Sequence, residues 1–93
     1  MTSFDPEEAA AYIDDRVRAL GSPARAEAER RYLKTELDHL GVTVWHVRRE
    51  VKAFGEEHPS LSHTELIALV QALWSRPVHE RRMAAAMLLE AYP

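Results

Sequence analysis

Apolar positions along this chain recur at three- and four-residue steps and not in alternation. Leu33, Leu37 and Leu40 form one such row, Val44, Val47, Val51 and Phe54 a second, and Leu66, Leu69, Val70, Leu73 and Trp74 a third. That period puts each row on one face of a helix. No strand-like alternation and no Asn-Gly hairpin turn occurs, so the pattern predicts an all-α chain. Helices are expected over about 6–20, 23–40, 44–54, 63–74 and 77–92.

The punctuation between rows supports these limits. Pro6 and Pro23 follow the capping residues Asp5 and Ser22, the usual order at a helix start. Asp5 to Glu8 and Ser62 to Glu65 both match a capping box. Gly21, Gly41 and Gly55 each follow an apolar row, where glycine commonly ends a helix. Pro59 breaks the chain before Ser62, and Pro77 can open the last helix.

The first and last helices depart from the amphipathic norm. Ala9, Ala10, Ala11, Tyr12 and Ile13 make a weak stripe, so residues 1–21 are expected to be an N-terminal helix or arm, leaving 22–93 as packed helix pairs. Met83 to Ala91 is apolar nearly all round, as in a helix sandwiched between neighbours. The spacing from the second helix to the fourth, roughly 40 residues, lies in the range of a HEAT-type repeat. Together these features predict the start of a longer helical stack whose last helix awaits a further repeat.

Composition narrows the chemistry. The chain has 93 residues and no cysteine, so disulfides and thiolate metal sites are excluded. It has no long apolar run and no signal-like start, which fits a cytoplasmic protein. The net charge of −3 hides a gradient: seven acids against three bases in residues 1–29, eight against nine in 30–93. Ten of the twelve bases are arginine, whose planar fork suits phosphate.

No catalytic constellation is visible. Neighbouring helical residues point about 100° apart, so Asp14 and Asp15 do not converge as an acid/base pair. Glu56 and Glu57 read as a solvated loop. The five histidines lack the spacing of a His-Glu-x-x-His metal motif and read as surface or cap residues, so no metal ligand and no cofactor is expected. Basic clusters are more informative: Arg30, Arg31 and Lys34 beside Tyr32, Arg48, Arg49 and Lys52 beside Trp45, and Arg76, Arg81 and Arg82 near the last helix. Such clusters can hold a phosphate backbone, or can be ordinary solvated faces with partners such as Glu27 for Arg31. Trp74 reads as a structural residue.

One ordered set of motifs goes further. Arg31-Tyr32-Leu33-Lys34, Leu40-Gly41-Val42, Val47-Arg48-Arg49, Leu73-Trp74 with Pro77 and Glu80, and Ala84-Ala85 with Leu88-Leu89 and Tyr92 occur in one order and spacing. This resembles the N-terminal portion of the HEAT-like-repeat DNA alkylation repair proteins, over residues 26–92. The resemblance implies a curved stack of helix pairs with a basic groove for duplex DNA. It also implies a glycosylase releasing 3- and 7-alkylated purines. The family's catalytic Asp, Trp and Arg belong to repeats after the Leu-Trp…Ala-Ala pair, so no catalytic residue carries over and the chain alone is expected to be inactive. Tyr32, Lys34, Arg48 and Arg49 carry over as groove-wall, DNA-binding candidates. The competing expectation is a non-catalytic interaction module, including a homodimer through the apolar face of the last helix.

Overall fold

The computed structural model describes residues 4–92. Five helices appear in order: α1 Pro6–Arg18, α2 Pro23–Leu33, α3 Val44–Glu57, α4 His63–Trp74 and α5 His79–Ala91. The only strand-like feature among the described residues is an isolated bridge between Asp38 and Val78. The all-α expectation therefore holds.

Local chemistry sets most helix starts. The Asp5 carboxylate accepts from the backbone N–H groups of Glu7 and Glu8, and Ser22 accepts from that of Arg25. Thr43 does the same for His46, and Ser62 and Glu65 complete a reciprocal capping box. Each satisfies donors that the first turn leaves without a partner. Pro77 does not open α5; Val78 is its N-cap and Pro77 lies outside.

Helices α1, α3, α4 and α5 pack as two antiparallel pairs laid side by side. In the α4/α5 pair, Arg81 at the start of α5 donates to the carbonyls of Ala72 and Leu73 at the end of α4. In the α1/α3 pair, Ser22 just beyond α1 donates to Leu40 and Gly41 just before α3. Between the pairs, α1 packs on α4 and α3 packs on α5. The latter two run the same way: Glu80 reaches the backbone ahead of α3, and the Tyr92 hydroxyl donates to the His58 carbonyl beyond it. The shared core includes Ile13, Val17, Val47, Val51, Phe54, Leu69, Leu73, Ala84 and Leu88.

Several expectations are corrected. The first helix is a full core member and not an arm, because Ala10, Ile13 and Val17 are all buried. The second helix ends at Leu33 instead of residue 40. Lys34 takes a left-handed conformation at φ 51°, and Thr35 accepts from the Leu37 N–H in a turn. Beyond it, Asp38 exchanges backbone hydrogen bonds with Pro77 and His79. Those long-range bonds compete with continuing the helix and win, so Leu37 and Leu40 do not share a helical face with Leu33. Gly55 lies inside α3, which continues to Glu57, so Glu56 and Glu57 are helical.

Gly41 does need to be glycine, though not as a helix stop. Its φ is +74°, and a Cβ there would lie 2.0 Å from the Ser22 carbonyl oxygen and 2.7 Å from the Ala26 nitrogen. It is where α2 presses on the segment leading to α3. Ala26 is the only buried residue of α2, so this helix is held more by polar contacts than by a core face.

The last helix is less uniformly apolar in its surroundings than its sequence suggests. Glu80, Arg81, Ala84, Ala85, Met87 and Leu88 are buried against α3 and α4. Ala86, Leu89 and Glu90 face outward.

Candidate nucleic-acid interface

Helix α3 turns Val47, Val51 and Phe54 into the core. Helical geometry then sends Trp45, Arg49 and Lys52 outward, with Arg48 beside them, and all four are exposed. The Trp45 ring is 63 % exposed, and the Arg49 guanidinium carbon lies 5.0 Å from its centroid. That is cation–π range. Arg48 meets Glu90 of α5 at 3.7 Å, with both side chains more than half exposed. An exposed pair of this kind contributes little, about 0–1 kcal/mol, and leaves the guanidinium free to exchange partners.

Trp74 repeats the motif at the other pair. It is not the buried residue its position suggested: it is 50 % exposed, and Arg82 of α5 covers its ring at 4.8 Å. The Arg82 Nε is itself buried with no hydrogen-bond partner among the described residues.

The other two candidates sit on a different element. Tyr32, 86 % exposed, is at the end of α2, where it borders a shallow cavity of about 350 Å³ with Arg25, Leu33 and His79. Lys34 is the left-handed residue after that helix, so it does not share a helical face with Arg30. No hydrogen bond or ion pair among the described residues joins Tyr32 or Lys34 to Arg48 or Arg49. Arg31 is paired with Glu27 at 2.9 Å, as its four-residue spacing suggested.

The sequence model of the DNA alkylation repair enzyme family matches residues 13–93. The chain belongs to this family. No curated protein and no solved structure matches it. Membership in a DNA repair family makes DNA the partner that these exposed cations and aromatic rings are to be judged against.

Two buried carboxylates of this repair-family chain tie its elements together. Asp14 on α1 meets Arg81 of α5 at 3.2 Å and Arg18 at 3.1 Å. Burial would raise its pKa, but the hydrogen bonds from Arg18 and Arg81 outweigh that and hold the carboxyl below its ordinary range. Asp15 is exposed, so the adjacent pair indeed points apart. Glu80 is wholly buried. Its Oε1 accepts from the Leu40 N–H at 2.9 Å, and its Oε2 accepts from Gly41 and Val42 at 3.1 Å each. A carboxylate held this way clamps the turn that aims α3, and with it Trp45 and Arg49.

Beside Glu80 lies a cluster that sequence spacing could not reveal. His39 was expected at the surface, but its side chain is 0 % exposed. Its Nδ1 lies 3.3 Å from Glu29 of α2, and its ring stacks on His79 at 4.4 Å between centroids. Arg25 holds the other oxygen of Glu29 at 2.9 Å. Glu29, His39 and His79 are 10 to 50 positions apart in sequence, and only the docking of α2 on the 38–42 segment assembles them. The sole advance signal was that Glu80 recurs in the motif set described above.

Proposed function

We propose that this chain forms part of the wall of a duplex-DNA groove in an alkylpurine DNA glycosylase, supplying scaffold and phosphate contacts and not the cleavage chemistry. The observation that carries this reading is the outward face of α3, where Arg48, Arg49 and Lys52 stand around an exposed Trp45. Arginines beside an aromatic ring are prepositioned donors for phosphate and sugar oxygens, which fix a duplex in register without reading sequence. The two side-by-side antiparallel pairs support a HEAT-like repeat, in which α3 and α5 would form one layer and α1 and α4 the other. The buried carboxylates argue for a scaffold role: Asp14 is held by two arginines and Glu80 by three backbone N–H groups. Glycosylase chemistry on a cationic purine needs a carboxylate free to face the sugar.

Duplex binding measured by fluorescence anisotropy across a salt series tests the proposal. Binding at low salt should weaken steeply as salt rises, because each neutralised phosphate releases counterions. Replacing Arg48 and Arg49 by alanine together should flatten the log K against log salt slope by about 1.8, from roughly 0.9 per lost contact. No binding at low salt, or an unchanged slope, would remove α3 from the groove. Release of 7-methylguanine by the chain alone would overturn the scaffold assignment.

The interaction-module reading rests on a different observation: Leu89 and Trp74 are half exposed on α5 and α4. Patches of that kind mark partner surfaces. Concentration-dependent sedimentation discriminates, since a strict monomer argues against a homodimer through α5.

A further inference from the structure

We propose that Glu29, His39 and Glu80 form a binding site for a divalent transition-metal ion that ties α2 to the α5 end of the helical stack. One ligand atom from each of the three lies within 4.8 Å of the others. Around zinc, with bonds of about 2.0–2.1 Å to imidazole nitrogen and carboxylate oxygen, ligand atoms stand closer than this. The Glu29 Oε1 to His39 Nδ1 separation of 3.3 Å already matches the spacing of two ligands on one ion, so binding needs the cluster to draw in towards Glu80.

A cluster of acids would not by itself indicate a metal. The imidazole does. The His39 side chain is completely buried, its Nε2 has no partner among the described residues, and its Nδ1 reaches Glu29 only at 3.3 Å. That is longer than the 2.7–2.9 Å or so typical of a charge-assisted hydrogen bond. Buried polar nitrogens are normally satisfied, so a ring with one orphan and one long contact calls for a ligand.

The carboxylates retain valence for it. Glu29 gives Oε2 to Arg25 and keeps Oε1 turned to His39. Glu80 gives Oε2 to two backbone N–H groups, while Oε1 accepts only one and keeps a lone pair. Arg25 and the 40–42 backbone would thus orient the two ligating carboxylates from outside, the arrangement that usually tunes a metal site. One imidazole nitrogen with two carboxylate oxygens suits zinc, manganese or iron more than calcium. Two carboxylates against one Arg25 leave a local negative charge for a dication to neutralise.

The test is calorimetric titration of the chelator-stripped protein with zinc alone, with cobalt absorption as a second probe and nitrogen-15 NMR of the histidine rings. One ion per chain is expected, with the His39 ring resonances shifting and those of His58 and His63 unmoved. Glu29→Gln and His39→Gln should each weaken binding at least about tenfold, the scale seen on disturbing metal-site partners. His63→Ala should leave it unchanged. Binding that survives both Gln variants, or NMR shifts confined to exposed histidines, would overturn the proposal, as would no binding at all. If His39→Gln fails to fold by circular dichroism, Glu29→Gln and the wild-type NMR shifts decide the matter.

Discussion

Replacing Glu80 by glutamine removes the charge from a fully buried carboxylate while keeping its shape. The amide has one acceptor oxygen where the carboxylate has two. Turned towards Gly41 and Val42, that oxygen keeps two bonds and sets an NH2 against the Leu40 N–H, which now lacks an acceptor. One charge-assisted hydrogen bond is lost, about 1.5–3 kcal/mol, and two others fall to neutral strength, about 0.5–1.5 kcal/mol each. The expected destabilisation is then about 3–5 kcal/mol. A 93-residue chain at roughly 0.05–0.15 kcal/mol per residue has about 5–14 kcal/mol in all. Urea unfolding should show a midpoint far below wild type, and amide exchange should accelerate first at residues 40–42. Glu80→Asp keeps the charge but is one methylene short, so it should fall between. A Glu80→Gln midpoint within about 0.5 kcal/mol of wild type, with amides 40–42 still protected, would refute the clamp.

Gly41→Ala and Gly55→Ala should have opposite signs. The first forces a Cβ into the Ser22 carbonyl at positive φ and should cost more than the roughly 1–2 kcal/mol of the left-handed conformation alone. At Gly55 the nearest atom to a Cβ is the Tyr92 hydroxyl at 3.7 Å, so alanine should stabilise α3 by about 0.5–1 kcal/mol; thermal melts of both variants check this. Asp14, with its pKa held below the ordinary 3.8, contributes stability that is present above that value and lost as pH falls through the folded one, so unfolding free energy should drop below about pH 4. Asp14→Asn should flatten that acid limb, which urea titrations from pH 7 to pH 3 would show. Trp45→Ala should leave stability within about 0.5 kcal/mol, because the ring is mostly exposed. On the groove-wall reading it should weaken duplex binding, and unchanged anisotropy would exclude the ring from the interface.

Three of five helix starts were legible because caps act locally. Asp5, Ser22 and Ser62 read as caps and each satisfies donors two or three residues ahead, short-range chemistry written in adjacent letters, while Thr43 emerges as a cap only in the structure. The core rows of α3 and α4 were legible for a similar reason, since helical period alone decides which residues share a face. The basic, aromatic face of α3 followed from the same period once Val47, Val51 and Phe54 were assigned inward.

What the sequence could not decide depended on partners far along the chain. Residues 34–40 have good helix formers and a leucine row, yet they leave the helix because Asp38 finds backbone partners at Pro77 and His79. Gly55 looked like a stop and is not, because α3 is held on both sides by α1 and α5 and carries on through it. Trp74 reads as core by period, but it is half exposed on α4 with Arg82 over its ring. His39, Glu29 and Glu80 meet only when α2 folds back over the 38–42 segment, and Asp14, already beside Arg18 on its own helix, gains a second arginine from 67 positions away. Local pattern therefore determined that this chain is helical and where its helices begin. Tertiary contacts decided which polar groups are buried, because donors that satisfy them come from distant parts of the chain.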